Sequence, residues 1–375
     1  HMWVGNVEMH YRATDWKRHH HDSDKAYDSV ILHVVAKDDA PVRRTNGELI
    51  PQLVLEVSPQ FNADYASLVG ATIEVPCATK IKQVPHLTIV EWVEGLAFER
   101  LHGKVERIHQ LLDSFNGSWE DVCYVTLARN FGFGINNDAF ERLARRTPLR
   151  LLGKHSDSVL QIEALLFGQA GMLDAQKPGM DSYYNQLCTE YAFLSNKFQL
   201  TPMEKESWKL FRIRPQNFPY RRIAMLAQFI EGGFRMMNRI LEAEGEKEMR
   251  ALFEVELSGY WTKHYTFGKP NERATATLSR SSIDIILINT VAPLLYAYGE
   301  LTGNYEMTDK AIKLLEDLRA ESNSIVSHFV AYGIDCPDAL TSQALVQLKR
   351  EYCDARKCIY CKIGHHLLSK AARGE

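Results

Sequence analysis

The sequence predicts an α+β protein: a small mixed β-sheet at the N-terminus, followed by a large, mostly α-helical domain. Three observations carry this. Alternating and β-branched apolar segments are confined to residues 1–86. From Leu87 onward, apolar residues recur at the three- and four-residue spacing that lines one face of a helix. The chain has 375 residues, 45% apolar and 24% charged, enough to bury a substantial core without disulfide or metal staples. Two domains are expected, a β-rich region over 1–86 and a helical domain over 87–375.

The elements follow in order. Residues 3–12 alternate: Trp3, Val7, Met9 and Tyr11 fall on one side and Asn6, Glu8, His10 and Arg12 on the other. This is the period of a strand whose apolar side is expected to be buried. Val30–Ala36 is a continuous apolar, β-branched run and predicts a buried strand. Asn46-Gly47 marks a turn, and Leu49–Val57 reads as the next strand. Residues 59–69 read as a short helix and Ala71–Val75 as a last strand. Helical patterns then run over 87–112, 118–130, 137–146, 156–173, 181–197, 203–211, 219–242, 246–255, 280–300, 305–331 and 338–350, with Asp338 and Thr341 as caps for the last.

The formal charge of −3 excludes a globally basic nucleic-acid binder but leaves room for local basic patches. The seven cysteines are too unevenly spread for a disulfide framework, which points to a reducing, cytoplasmic setting. No apolar run reads as long enough to cross a bilayer and no signal peptide is visible, so no membrane partner is expected. His1-Met2 leads straight into a strand, so sequence upstream of Trp3 is expected to be missing. Asn130-Phe-Gly-Phe-Gly134 lacks the spacing and lysine of a phosphate loop, and its glycines are expected to end a helix.

Chemistry concentrates near the start. Glu8 and His10 are two residues apart on one strand and so share a face. A polar turn with Asp15, His19, His20, His21, Asp22 and Asp24 follows, and His33 returns inside the next strand. A carboxylate beside imidazoles can hold a divalent cation and an attacking water. Glu8, His10, Asp15, His19, His21 and His33 are therefore the candidate catalytic residues, with Glu8 and His10 the metal ligands and Mg²⁺ or Mn²⁺ the expected ion.

The segment from Trp3 to Val35 resembles the N-terminal block of an uncharacterised bacterial family, domain of unknown function 2851. Later segments resemble it too, among them LARNFGFGINNDAFERLA, RIRPQNFPYRRIAMLAQFI, HYTFGKP and INTVAPLLYAYG. The family layout is in turn similar to a restriction-endonuclease-like nuclease core, in which an aspartate on one strand and a Glu-x-Lys pair on the next hold the metal and water. That resemblance implies a partial nuclease-like core here, with Glu8-Met9-His10 at the Glu-x-Lys position. Histidine replaces a permanently charged lysine, and the aspartate has no counterpart. It implies a metal-dependent, nucleic-acid-processing protein, this chain being inactive without upstream residues. The alternatives are a non-enzymatic nucleic-acid-binding or scaffold protein with a structural metal, and a hydrolase acting on something smaller.

Near the C-terminus, Cys353, Cys358 and Cys361 have C-x4-C-x2-C spacing, and the closer pair is a good chelate. The run resembles the iron–sulfur loop of endonuclease III-type glycosylases, with one cysteine fewer. Zinc, with an iron–sulfur cluster second, is the expected occupant, and His365, His366 or Cys336 the expected fourth ligand. Lys209, Arg212, Arg214, Arg221 and Arg222, interleaved with Trp208, Phe211, Phe218 and Tyr220, form a candidate surface for DNA or RNA. Arg142, Arg145, Arg146, Arg150 and Lys154 form a second basic group.

Overall fold

The computed structural model describes residues 4–373 except 258 and 273. Trp3, read above as part of the first strand, lies outside the described residues. The chain divides into two compact units: residues 1–92 together with 349–375, and residues 93–348.

The first unit carries a three-stranded sheet in the order β1 (Asn6–Arg12), β2 (Val30–Lys37), β3 (Gln52–Val54). Both pairings are parallel, with Glu8 opposite His33 and His33 opposite Gln52. A parallel pair needs a crossover rather than a hairpin. Here the crossover consists of one helical turn, Asp15–Arg18, and a 3₁₀ segment, Lys25–Ser29, capped by Asp24 accepting the Ala26 N–H. This crossover brings the histidine turn across the sheet. A small core of Ala13, Trp16, Val30, Val35, Val42 and Ile50 anchors it.

The burial of β1 is the reverse of expectation. Val7, Met9 and Tyr11 are exposed, whereas Glu8 and His10 lie on the face covered by the crossover. The polar face is the inner one because histidine rings, not aliphatic chains, fill the space beneath the crossover. Residues 59–69 form a helix as expected: Ser58 accepts the Phe61 N–H, and Pro59 occupies the first turn, where its missing N–H costs nothing. Ala71–Val75 forms irregular backbone and bends instead of a strand. Its carbonyls at Ala71 and Ile73 accept hydrogen bonds from the Arg356 guanidinium, not from a neighbouring strand.

The second unit is helical around one continuous apolar core, plus a β4–β5 ribbon (His264–Thr266 and Lys269–Pro270). The helix expected at 203–211 is only a 3₁₀ turn at Lys205–Ser207. The pattern over 219–242 breaks into Pro219–Ile230 and Met236–Glu242, because Gly232 and Gly233 both take positive φ. Asp338 caps the helix Ala339–Gln347 by accepting the Thr341 N–H. One correction concerns apolar length. The continuous helical stretch Arg280–Thr302 is long and apolar enough to cross a membrane, but 72% of that window is buried inside the unit, as in a core helix.

Candidate metal centre

The crossover converges three imidazoles on one point, with the Glu8 carboxylate beside two of them. His10 Nε2 lies 3.1 Å from His19 Nδ1 and 3.8 Å from Glu8 Oε1. His21 Nε2 lies 4.0 Å from the same carboxylate oxygen. His10, His19 and His21 present ring nitrogens all within 4.8 Å of one another, the separation of ligands around a single ion. The local fold explains the convergence. His19 ends the helical turn Asp15–Arg18, and His20 adopts φ +63°, which turns the chain so that the residues on either side of it both point inward. His21 is buried and stacks on Tyr27 at 3.6 Å between ring centres.

His33 supports this group from behind. Its Nε2 is 2.9 Å from His10 Nδ1, which holds the His10 ring with Nε2 toward the cluster. His33 is wholly buried, and its Nδ1 has no hydrogen-bond partner among the described residues. Burial lowers the pKa of both His10 and His33. Neighbouring imidazoles push each down further, while Glu8 opposes the shift. Both rings are therefore neutral near pH 7, the form that ligates metals. Asp15, also a candidate catalytic residue, is buried beside the group; it accepts the Arg12 N–H at 3.1 Å and pairs with Arg18 at 3.2 Å. Its bonds shape the turn.

The C-terminal cysteines Cys353, Cys358 and Cys361 are all buried in this same unit, and so is Cys77. Arg356 donates to the Ala71 and Ile73 carbonyls, and Lys349 pairs with Glu74 at 3.9 Å, tying the cysteine loop to the segment leading into Cys77. Of the fourth ligands considered from sequence, Cys336 lies in the other unit, with its thiol directed at the Asp338 carbonyl. His365 is exposed, with Ser369 as its partner, and His366 Nε2 is buried without one.

The basic residues separate. Lys209, Arg212 and Arg214 are exposed. Arg221 and Arg222, placed by sequence on the same surface, are instead 0% and 1% exposed. The reason is packing: ten of the twelve residues of the helix Pro219–Ile230 are buried, so it is enclosed on nearly every side. Arg145, Arg146, Arg150 and Lys154 gather with Phe198 and Leu200 around a surface hollow of about 440 Å³.

The family model described as protein of unknown function (DUF2851) matches residues 1–324. The chain belongs to this family. No curated protein and no solved structure is detectably similar to it.

In this DUF2851 chain, sequence reasoning brought together Glu8, His10, His19, His21 and His33. It did not group Cys77, an isolated cysteine between Pro76 and Ala78, with the C-terminal cysteines near which it is buried. It also missed Tyr27, whose ring fixes His21. Only the parallel crossover, invisible as a motif, brings that tyrosine over the histidines.

Proposed function

We propose that the histidine cluster is a divalent-metal centre for hydrolysis, acting on phosphodiesters in the manner of the nuclease-like core that the family layout resembles. The observation that carries this reading is the approach of His10, His19 and His21 to within 4.8 Å, with Glu8 at 3.8–4.0 Å from two of them. Three imidazoles and one carboxylate suit manganese or zinc better than magnesium, which prefers oxygen ligands. A bound ion there would supply Lewis acidity and ready formation of a nucleophile from water. His33 orients His10. Glu8 is placed to ligate or to take a proton. His10 stands where the nuclease pattern has lysine. Within the helical unit, the exposed Lys209, Arg212 and Arg214 suit contact with a polyanion.

Calorimetric titration of chelator-stripped chain with Mn²⁺, which thiolates bind poorly, tests the centre. One saturable site, lost in His10→Ala and Glu8→Gln, is expected; wild type without divalent binding would end the proposal. Affinity for DNA or RNA should fall steeply with added salt, whereas salt-independent affinity removes the polyanion.

We also infer that Cys77 completes a four-thiolate metal site with Cys353, Cys358 and Cys361, the structural metal of the scaffold alternative. All four are buried, and each of Cys77 and Cys353 has its pKa raised by burial first and by the other cysteines next. The Cys361 sulfur faces the Ile363 and Gly364 N–H groups, donors suited to a thiolate. Gly364 is required there: a Cβ would lie 2.2 Å from the Cys358 carbonyl oxygen. Tetrahedral zinc, with bonds of about 2.3 Å, needs sulfurs roughly 3.8 Å apart. Four thiolates suit either tetrahedral zinc or an iron–sulfur cluster. Zinc, or iron with acid-labile sulfide, in anaerobically purified chain, lost in Cys77→Ser and kept in Cys336→Ser, is the expected result. Metal retained by Cys77→Ser would exclude Cys77.

A further inference from the structure

In the helical unit, a cavity of about 240 Å³ is floored by two arginines that sequence had placed on the surface. Arg221, Arg222, Met225, Leu278 and Ser282 form its buried floor, and Gln216, Thr275, Thr277 and Ser279 its exposed rim. Three segments quoted for the family resemblance meet here. RIRPQNFPYRRIA supplies the arginines. HYTFGKP supplies Tyr265, whose ring lies 5.4 Å from the Arg221 guanidinium. NFGFG supplies Phe133, whose ring lies 4.2 Å from that of Arg222.

The arginines are incompletely satisfied. Arg221 donates from Nη1 to the Trp261 carbonyl at 3.1 Å, but its Nη2 has no partner. Arg222 donates from Nη2 to Asn217 Oδ1 at 2.7 Å and approaches Ser282 Oγ at 3.5 Å, but its Nε has none. Among the described residues, no carboxylate pairs with either. Two adjacent cations buried without an anion are costly, and an unpaired buried donor adds to that cost. Burial lowers the pKa of Arg222 to about 9, and the neighbouring Arg221 contributes. An arrangement this unfavourable when empty is what an anion-binding site requires, because one bound oxyanion repairs both deficits.

We propose that this cavity binds the phosphate group of a small phosphorylated molecule. Two guanidinium forks and the Ser279, Ser282, Thr275 and Thr277 hydroxyls offer more donors than a carboxylate has oxygens to accept, whereas a phosphate can use them. The volume is roughly eight times the share of one water in the liquid, room for the phosphate and a modest attached group but not for a strand of nucleic acid. This inference concerns the second unit and stands apart from the metal centre of the first.

The test is thermal unfolding and calorimetry of the full chain with inorganic phosphate, a nucleoside 5′-monophosphate or acetate, each against chloride at matched ionic strength and pH. Phosphate and the monophosphate should raise the Tm saturably, as a ligand selective for the folded state must. A larger shift with the monophosphate assigns the site to an organic phosphate, and equal shifts assign it to inorganic phosphate. Arg222→Met should weaken phosphate binding by about tenfold or more. Thr275→Glu leaves the buried floor intact and sets a negative charge on the rim, so it should do the same even if Arg222→Met folds poorly. No saturable response in wild type, an equal response to acetate, or an undiminished response in Thr275→Glu would overturn the proposal.

Discussion

At the scale of single residues, titration and hydrogen bonding decide what the buried polar groups can do. His33 touches His10 at Nδ1, the nitrogen turned away from the cluster's centre, so it is a positioning residue. His33→Ala should weaken divalent binding by roughly 10–100-fold while leaving one ion per chain, measured by calorimetry. His10 and His33 also make the first unit acid-sensitive. Their folded pKa values lie below 6.5, so on acidification the unfolded chain takes up protons first. Stability is intact above about pH 6.5 and declines as pH falls through the lowered folded values. Hydrogen exchange of β1 and β2 amides should accelerate over that window. Glu163 in the helical unit has the opposite sign. Burial raises it to about 7, and the Tyr183 hydroxyl donates to it. Between about 4.5 and 7 the folded chain keeps a proton that the unfolded chain has lost, so stability falls as pH rises. Glu163→Gln should remove this slope, gaining at most roughly 3 kcal/mol over wild type at pH 8 relative to pH 4.

At the scale of elements, close approach matters more than propensity. Gly168 lies in the helix Val159–Gln169, and a Cβ there would sit 2.1 Å from the Tyr191 ring in the adjoining helix Ser182–Phe198. Alanine would gain up to about 1 kcal/mol of helix propensity. Overpacking at such a contact costs roughly 1–3 kcal/mol, so Gly168→Ala should lower the denaturation midpoint. The start of the last expected helix was legible because its cap is local: Asp338 accepts the Thr341 N–H, as Ser58, Ser118 and Asp181 accept an N–H three residues on in earlier helices. The expected helix at 203–211 and strand at 71–75 failed for non-local reasons. Trp208 is used to donate its indole N–H to the Ala170 carbonyl, and Arg356 binds the carbonyls of 71 and 73.

At the scale of the whole molecule, two units share one chain, and the C-terminal residues 349–375 belong with the first. Both proposed metal sites lie in that unit. Chelation should therefore lower protection from hydrogen exchange in residues 4–92 and 349–369 while leaving the core helix Arg280–Thr302 unchanged. Uniform loss across both units would argue that the metals do not act locally.

The sequence by itself determined the α+β class, most helices and the membership of the histidine cluster, because periodicity, caps and strand alternation depend on residues a few positions apart. Only the tertiary structure decided which face of β1 is inner, that Cys77 joins cysteines nearly three hundred residues later, and that Arg221 and Arg222 floor a cavity. Each of these depends on contacts between segments remote in the chain, where burial and unmatched charge arise from packing and leave no local pattern to read.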